Sequence, residues 1–396
     1  MAHSQYELLK QRRFLPFFLT QALGAFNDNV FRNAMLALMV YQMGLSTEQS
    51  TVYANLAPAL FILPYFLFSA TAGQIAEKLE KARLIRITTA MEIAIMSLAA
   101  FGFIYGLPTL LLFCLFLTGV QSTLFGPVKY AILPQVLAPE ELTGGNGLVE
   151  MGTSISILIG MIAGMSLLMI PGCGPQAAAA AMIGLAVTGH LVSRAIPMAP
   201  AIAPDLKINP NLIAESLHVL GMVRHNRVVR RAVFGVSWFW FVGTLLSAQL
   251  PNYAKLHLGG SESLNLLALA LFSIGTGLGS LWCEKLSQRT VEIGLVPFGA
   301  LGMTVFCTDL YFARPGFAPE TGITLSQFWQ QAGSFRIMAD LTLIGLFAGF
   351  FIVPLFALIQ SRTEKHHLSR VIAGMNIQNA VFIVSAAVTG IVLQRY

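Results

Sequence analysis

The run FLPFFLTQALGAFNDNVFRNAMLALMVYQ, residues 14–42, decides the architecture. Lys10, Arg12 and Arg13 stand before it and the small residues Ala22, Gly24 and Ala25 lie inside it, which is the outline of a secretory leader. Cleavage does not fit, because the apolar stretch resumes after Asn29. Only the whole run is long enough to cross a hydrocarbon core of about 30 Å at about 1.5 Å per residue. It reads as a membrane-spanning helix.

Ten further windows of the same kind follow, near 51–72, 84–106, 108–133, 143–170, 176–197, 231–255, 262–286, 290–313, 336–361 and 370–396. Strands that cross a membrane are about 10 residues long and alternate in polarity, so a barrel is excluded. Composition agrees: 56% of the 396 residues are hydrophobic and 11% are charged, against about 25% charged in soluble domains. Mean hydropathy is +0.71. A soluble enzyme, a nucleic-acid module and a disordered scaffold are excluded, and an all-α membrane protein is expected.

The net charge of +6 is a topology signal, because the basic residues cluster on one side. With the amino terminus placed inside, 19 of the 24 Lys and Arg residues fall on the inner side and four on the outer, with Arg32 within a span. The inner set includes Lys78, Lys81, Arg83 and Arg86 after the second span, and Arg362, Lys365 and Arg370 after the tenth. The outer set is Lys255, Arg314, Arg336 and Arg395. The excess of Lys and Arg in cytoplasmic loops places the amino terminus in the cytoplasm.

A long linker follows the sixth span. Its first part is Pro-rich (Pro197, Pro200, Pro204, Pro210), and 211–231 is amphipathic, with Leu212, Ile213, Leu217 and Leu220 on one face and arginines at the end. That pattern fits a helix along the cytoplasmic membrane surface, with a solvated tether as the alternative. The expected domains are a bundle over 1–197, a linker over 198–230 and a second bundle over 231–396. The halves also repeat. Glu-Lys-Leu follows the second span (Glu77 to Leu79) and the eighth (Glu284 to Leu286). Pro127, Gln135 and Gly145-Asn146 match Pro354, Gln360 and Gly374-Met375-Asn376. This is a parallel six-plus-six plan. It calls for a twelfth span, and the expectation is that the natural chain continues past Tyr396.

Chemistry is sought among polar groups at membrane depth, where a lone charge costs at least about 2.5–3.5 kcal/mol. The sharpest cluster is Asn27, Asp28, Asn29, Arg32 and Asn33 in the first span. Asp28 and Arg32 are spaced i, i+4 and can pair. Read structurally they neutralise each other; read functionally they line a polar cavity for a charged head group. Lys129 and Glu150 are expected to pair across the hairpin of spans four and five, as an inner gate or a brace. Glu92 is isolated in the third span, and Asp309 and Asp340 are expected to reach the interface from the outer helix ends. Gly160/Gly164, Gly275/Gly279 and Gly345/Gly349 read as sites of close helix approach. The four cysteines are far apart. Phosphate loops, nucleophile motifs and zinc spacings are not found, so neither a cofactor, a metal nor a catalytic residue is expected.

The loop Gly73-Gln74-Ile75-Ala76-Glu77-Lys78-Leu79-Glu80-Lys81-Ala82-Arg83 resembles the loop motif of the major facilitator superfamily, with Glu77 where aspartate is usual. The resemblance implies a conformational role for Gly73, Glu77, Lys78 and Arg83. Ala25 to Asn29, Phe125 to Leu133, Asn146 to Glu150 and Gly349 to Leu355 together resemble the lysophospholipid transporter family within that superfamily, over nearly the whole chain. That family implies movement of lysophospholipids, chiefly lysophosphatidylethanolamine, from the outer to the inner leaflet of a bacterial inner membrane, followed by reacylation. It includes fusions to an acyltransferase and acyl-carrier-protein synthetase, which makes such an enzyme an expected partner. The family's cavity aspartate carries over to Asp28 and its span-four lysine to Lys129. Where the family can carry an arginine in span seven, a small polar residue stands near Ser247, so Arg32 is expected to supply the positive charge. Asp28, Asn29, Arg32, Lys129 and Glu150 are therefore the candidate substrate residues. The alternatives are a proton-coupled exporter of drugs or small metabolites, with Glu92 or Asp28 carrying the proton, and a non-transporting platform for an acyltransferase.

Overall fold

The computed structural model describes residues 5–259, 262–288, 290–313, 323–331 and 333–393. Arg289, Arg314 and Arg395, counted above among the loop charges, lie outside these. Twelve α-helices longer than five residues organise the described chain: α1 Leu15–Tyr41, α2 Thr47–Lys78, α3 Lys81–Tyr105, α4 Pro108–Ala131, α5 Leu142–Leu168, α6 Gly174–Ser193, α7 Leu212–His225, α8 Arg227–Asn252, α9 Glu262–Leu286, α10 Leu295–Phe312, α11 Ser334–Arg362 and α12 Leu368–Leu393. All except α7 are of span length. Ten are long and apolar enough to cross a membrane. The eleventh, α1, falls short of that hydropathy because of its central polar cluster.

Local chemistry sets the ends of these helices. Ser46 and Gln49 form a reciprocal capping box at the start of α2. Gly106, at φ +63°, ends α3 in a left-handed turn, and Pro108 opens α4 in the first-turn position where its missing N–H costs nothing.

The chain divides into two compact units, residues 1–138, 156–227 and 362–380 in one, and 139–155, 228–361 and 381–396 in the other. In the first, α2 packs on α4, α3 on α6, and α1 on α6. Val30, Phe31, Ala34, Met35 and Leu38 of α1 share a core with Met96, Leu111, Leu115 and Met182. Gly160 and Gly164 of α5 lie against the backbone of α1 at Phe26 and Val30, so close that a Cβ at Gly160 would come 2.7 Å from the Phe26 carbonyl oxygen. The helix carrying the polar cluster is therefore clamped at the cluster itself. In the second unit the other two glycine pairs face each other. Gly275 and Gly279 of α9 lie on the backbone of α11 at Thr342 and Leu346, and Gly345 and Gly349 lie on α9 at Phe272 and Ser280. All three pairs serve close approach, as expected.

Two readings of the linker are corrected. The amphipathic helix stops at His225, and Arg227, Arg230 and Arg231 belong to the first turns of α8. Its packed face is Glu215, Val219 and Val223, leaving Ile213 and Leu217 outward. The reason is spacing: 215, 219 and 223 recur every four residues and form their own stripe.

Candidate functional site

Asp28 is the central residue of α1. Around it the polar side chains divide into those that hold the protein together and those that do not. Asn27 is fully buried and donates from Nδ2 to Glu92 Oε1 of α3 at 2.7 Å. Glu92, expected to be isolated, is thus engaged by the first helix, 65 positions away. Asn33 donates to the Asn29 carbonyl at 2.8 Å, and Asn29 donates to the Ala25 carbonyl at 2.8 Å. These bonds absorb polarity within the helix.

Asp28 and Arg32 behave differently. Both keep accessible surface, although they sit at the middle of the helix. The expected i, i+4 pair does not form: Arg32 Nη2 donates to Asn29 Oδ1 at 2.8 Å, and Asp28 Oδ2 accepts from Ser122 Oγ of α4 at 3.3 Å. At i, i+3 Asn29 competes for the guanidinium, and it has an oxygen to spare. Asp28 remains within electrostatic reach of Arg32 and Glu92, and Tyr65 of α2 stands at the same Ser122 hydroxyl. Each charge is held by one neutral partner. A charge at membrane depth left this way is expensive unless something else completes it. A ligand with both a cation and an anion matches the pair.

Asn29 is 7% exposed, with its amide committed to Arg32 and Ala25. It orients Arg32. Lys129 is half-buried near the end of α4, its ammonium 5.2 Å from the centre of the Tyr130 ring. Glu150 is half-buried in the first third of α5. The two fall in different units.

The loop motif forms a second polar cluster at the end of α2. Glu77 is fully buried. Its carboxylate accepts from Arg370 Nε at 2.7 Å and from the Arg370 backbone N–H at 3.3 Å, in the first turn of α12. Its carbonyl accepts the N–H groups of Ile202 and Ala203 at 3.2 and 3.0 Å, which satisfies a helix-end carbonyl. Gly73 lets α12 approach: a Cβ there would lie 3.1 Å from Ser369 O. Glu80 caps α3 through the N–H groups of Ala82 and Arg83, both 2.8 Å. Lys78 is half-buried and Arg83 exposed, so the joint is made by Gly73, Glu77, Glu80 and Arg370. A third polar contact lies in the second unit, where Asn146 and Gln360 exchange amide hydrogen bonds of 2.6 and 3.1 Å. Asp340, expected to reach the interface, is instead 2% exposed. Arg336 and Asp309 take the outward position above it.

Sequence comparison completes the picture. The family model described as Major Facilitator Superfamily matches residues 17–392. The chain belongs to the Major Facilitator Superfamily. Within it, the chain is 27% identical over 359 residues to a protein named lysophospholipid transporter LplT from Serratia proteamaculans (strain 568), covering 90% of this chain and 82% of that protein. The protein of the same name from Salmonella typhimurium is 27% identical over 366 residues, covering 89% and 80%. The fold matches solved superfamily structures. The human organic anion transporter MFSD10 superposes with a TM-score of 0.72 at 11% identity, over 96% of this chain and 93% of that one. FucP in its outward conformation gives 0.71 at 16% identity, over 96% and 92%. The chain is a multi-pass membrane transporter of this superfamily, similar to LplT.

Proposed function

We propose that this protein moves lysophospholipids, lysophosphatidylethanolamine foremost, from the outer to the inner leaflet of a bacterial inner membrane by alternating access, with its amino terminus in the cytoplasm. One observation carries the reading: Asp28 and Arg32 stand at mid-helix, partly accessible, each with one neutral partner instead of each other. A lysophosphatidylethanolamine head group carries one ammonium and one phosphate. Asp28 meets the ammonium and Arg32 the phosphate through charge-assisted hydrogen bonds. The named LplT relatives support this substrate class, and the excess of basic residues on one side supports the orientation. Lys129 and Glu150 are proposed to attend the head group on its way inward, and the delivered lipid is then reacylated by an acyltransferase and acyl-carrier-protein synthetase partner.

The test is leaflet-resolved uptake of labelled lysophosphatidylethanolamine into proteoliposomes holding the purified protein. Asp28→Ala is expected to lose about 10- to 100-fold in rate, the worth of one hydrogen bond to a charged group. Uptake by Asp28→Ala equal to that of the unaltered protein overturns the assignment. Transport that collapses with the pH gradient and ignores competing lysolipid supports the exporter instead.

A further inference from the structure

The linker climbs the flank of α2. Ala199 exchanges backbone and side-chain hydrogen bonds with Lys81 and Glu80 at the start of α3. Ile202 and Ala203 reach Glu77. Asn209 bonds twice to Gln74, at 2.7 and 3.3 Å. Val219 of α7 then packs on Ala70 and Ile377. Gly374 of α12 makes room for it, since a Cβ there would lie 2.9 Å from Val219 O. Each step is about one turn further from the end of α2.

That climb sets a depth. Ala70 lies eight residues before Lys78, about 12 Å inside the helix end. Leu63 and Leu67, which continue the same stripe inward, are 42% and 37% exposed, as expected of a lipid-facing flank. So α7 sits at the foot of a lipid-facing surface, at the edge of the hydrocarbon. Its packed stripe is Glu215, Val219 and Val223; the far side carries Ile213 and Leu217, 76% and 66% exposed. Beyond them the last turn of the helix carries Arg224, and Arg227 follows its end at His225, both arginines exposed. Asn226 donates to the Arg362 carbonyl at 3.3 Å, which brings the exposed Arg362 to the same end. Of the acids near it, Glu215 is buried and accepts from Asn209, and Glu364, two residues after Arg362, is exposed and lies 3.7 Å from His367.

We propose that α7 is an in-plane membrane helix. Ile213 and Leu217 lie among acyl chains of the cytoplasmic leaflet, and Arg224, Arg227 and Arg362 bind the phosphates of anionic phospholipids there. Basic side chains beside an apolar edge are the chemistry that such a leaflet selects. The inference rests on the orientation proposed above and is independent of the transported substrate.

A spin label at Leu217→Cys, in a Cys173→Ser background, reads the position directly in vesicles. With phosphatidylglycerol present, the label is expected to collide with oxygen more than with a water-soluble nickel complex. The Arg224→Gln/Arg227→Gln pair is expected to need about tenfold more phosphatidylglycerol for half of that protection, from the attraction each basic residue feels near an anionic surface. Equal access to the nickel complex with and without phosphatidylglycerol overturns the proposal. Protection seen only in native membranes, and lost on purification into any lipid, also overturns it and assigns the face to a protein partner. Since Leu217 is exposed, the label does not disturb a packed core, and Ile213→Cys repeats the reading one turn away.

Discussion

Two charged regions of the first unit differ in how they treat their charges. At the end of α2, Glu77 is fully buried and its carboxylate meets Arg370 at 2.7 Å and a backbone N–H as well. At the centre of α1, Asp28 and Arg32 are four residues apart on one helix, keep accessible surface and take neutral partners. The first arrangement closes on itself and spends its charges on holding α2, α12 and the linker together. The second leaves each charge with one neutral partner, the arrangement on which the proposed head-group site rests. Charge in a membrane protein is thus not by itself a mark of function; what distinguishes a site from a joint is whether the charges have already found each other.

The comparison ranks substitutions by what each leaves stranded. Glu77→Ala strands the mostly buried Arg370 guanidinium, and removing one member of a buried pair costs about 3–5 kcal/mol. The expected result is a large fall in the thermal midpoint of the purified protein, with Glu77→Ala/Arg370→Ala losing less than the two single losses combined, because the members are coupled. A midpoint unchanged in Glu77→Ala would end the claim that this is a joint. Asn27→Ala comes next. It takes the one amide donor from a buried Glu92, an unmet group worth about 1–3 kcal/mol. Asn27→Asp should be no better, since it puts a second carboxylate beside the first. Asp28→Asn is expected to change stability by less than about 1 kcal/mol, because the Ser122 hydroxyl can still donate to the amide oxygen. It should nevertheless lose transport as Asp28→Ala does. A variant that loses both together would move Asp28 to the side of Glu77.

How much of this was legible follows from the range of each interaction. The spans are local facts, written in windows of apolar residues, and the first unit's polar cluster is five polar residues within seven. The glycine pairs were legible too, because four-residue spacing puts small residues on one face. Partner choice was not. Asn29 and Asp28 lie three and four residues before Arg32, both within its reach, and only the finished geometry decides between them. Glu92 and Asn27 are joined by tertiary packing that no local spacing announces, and the same holds for Glu77 and Arg370. The run from Gly73 to Lys78 continues α2 beyond its apolar window, because its polar groups are buried by α12 and the linker. Asp340 was misread for a related reason: nearness to a helix end gives depth along the axis but not the direction in which the side chain points.

The smallest effect is expected where the two principles meet at an exposed site. Arg336 Nε donates to Asp309 Oδ2 at 3.0 Å between α11 and α10, as well formed a contact as Glu77 with Arg370, yet its side chains are 53% and 36% exposed. Water competes for both partners, so the pair gains little from association and loses little when broken. Arg336→Gln should leave the thermal midpoint within error and transport unchanged. The buried Asp340, one turn beyond Arg336, supplies the contrast. If Arg336→Gln proves destabilising while Asp309→Asn does not, the guanidinium is acting on the buried carboxyl beneath it rather than on its visible partner. Burial, more than bond geometry, would then again decide the energy.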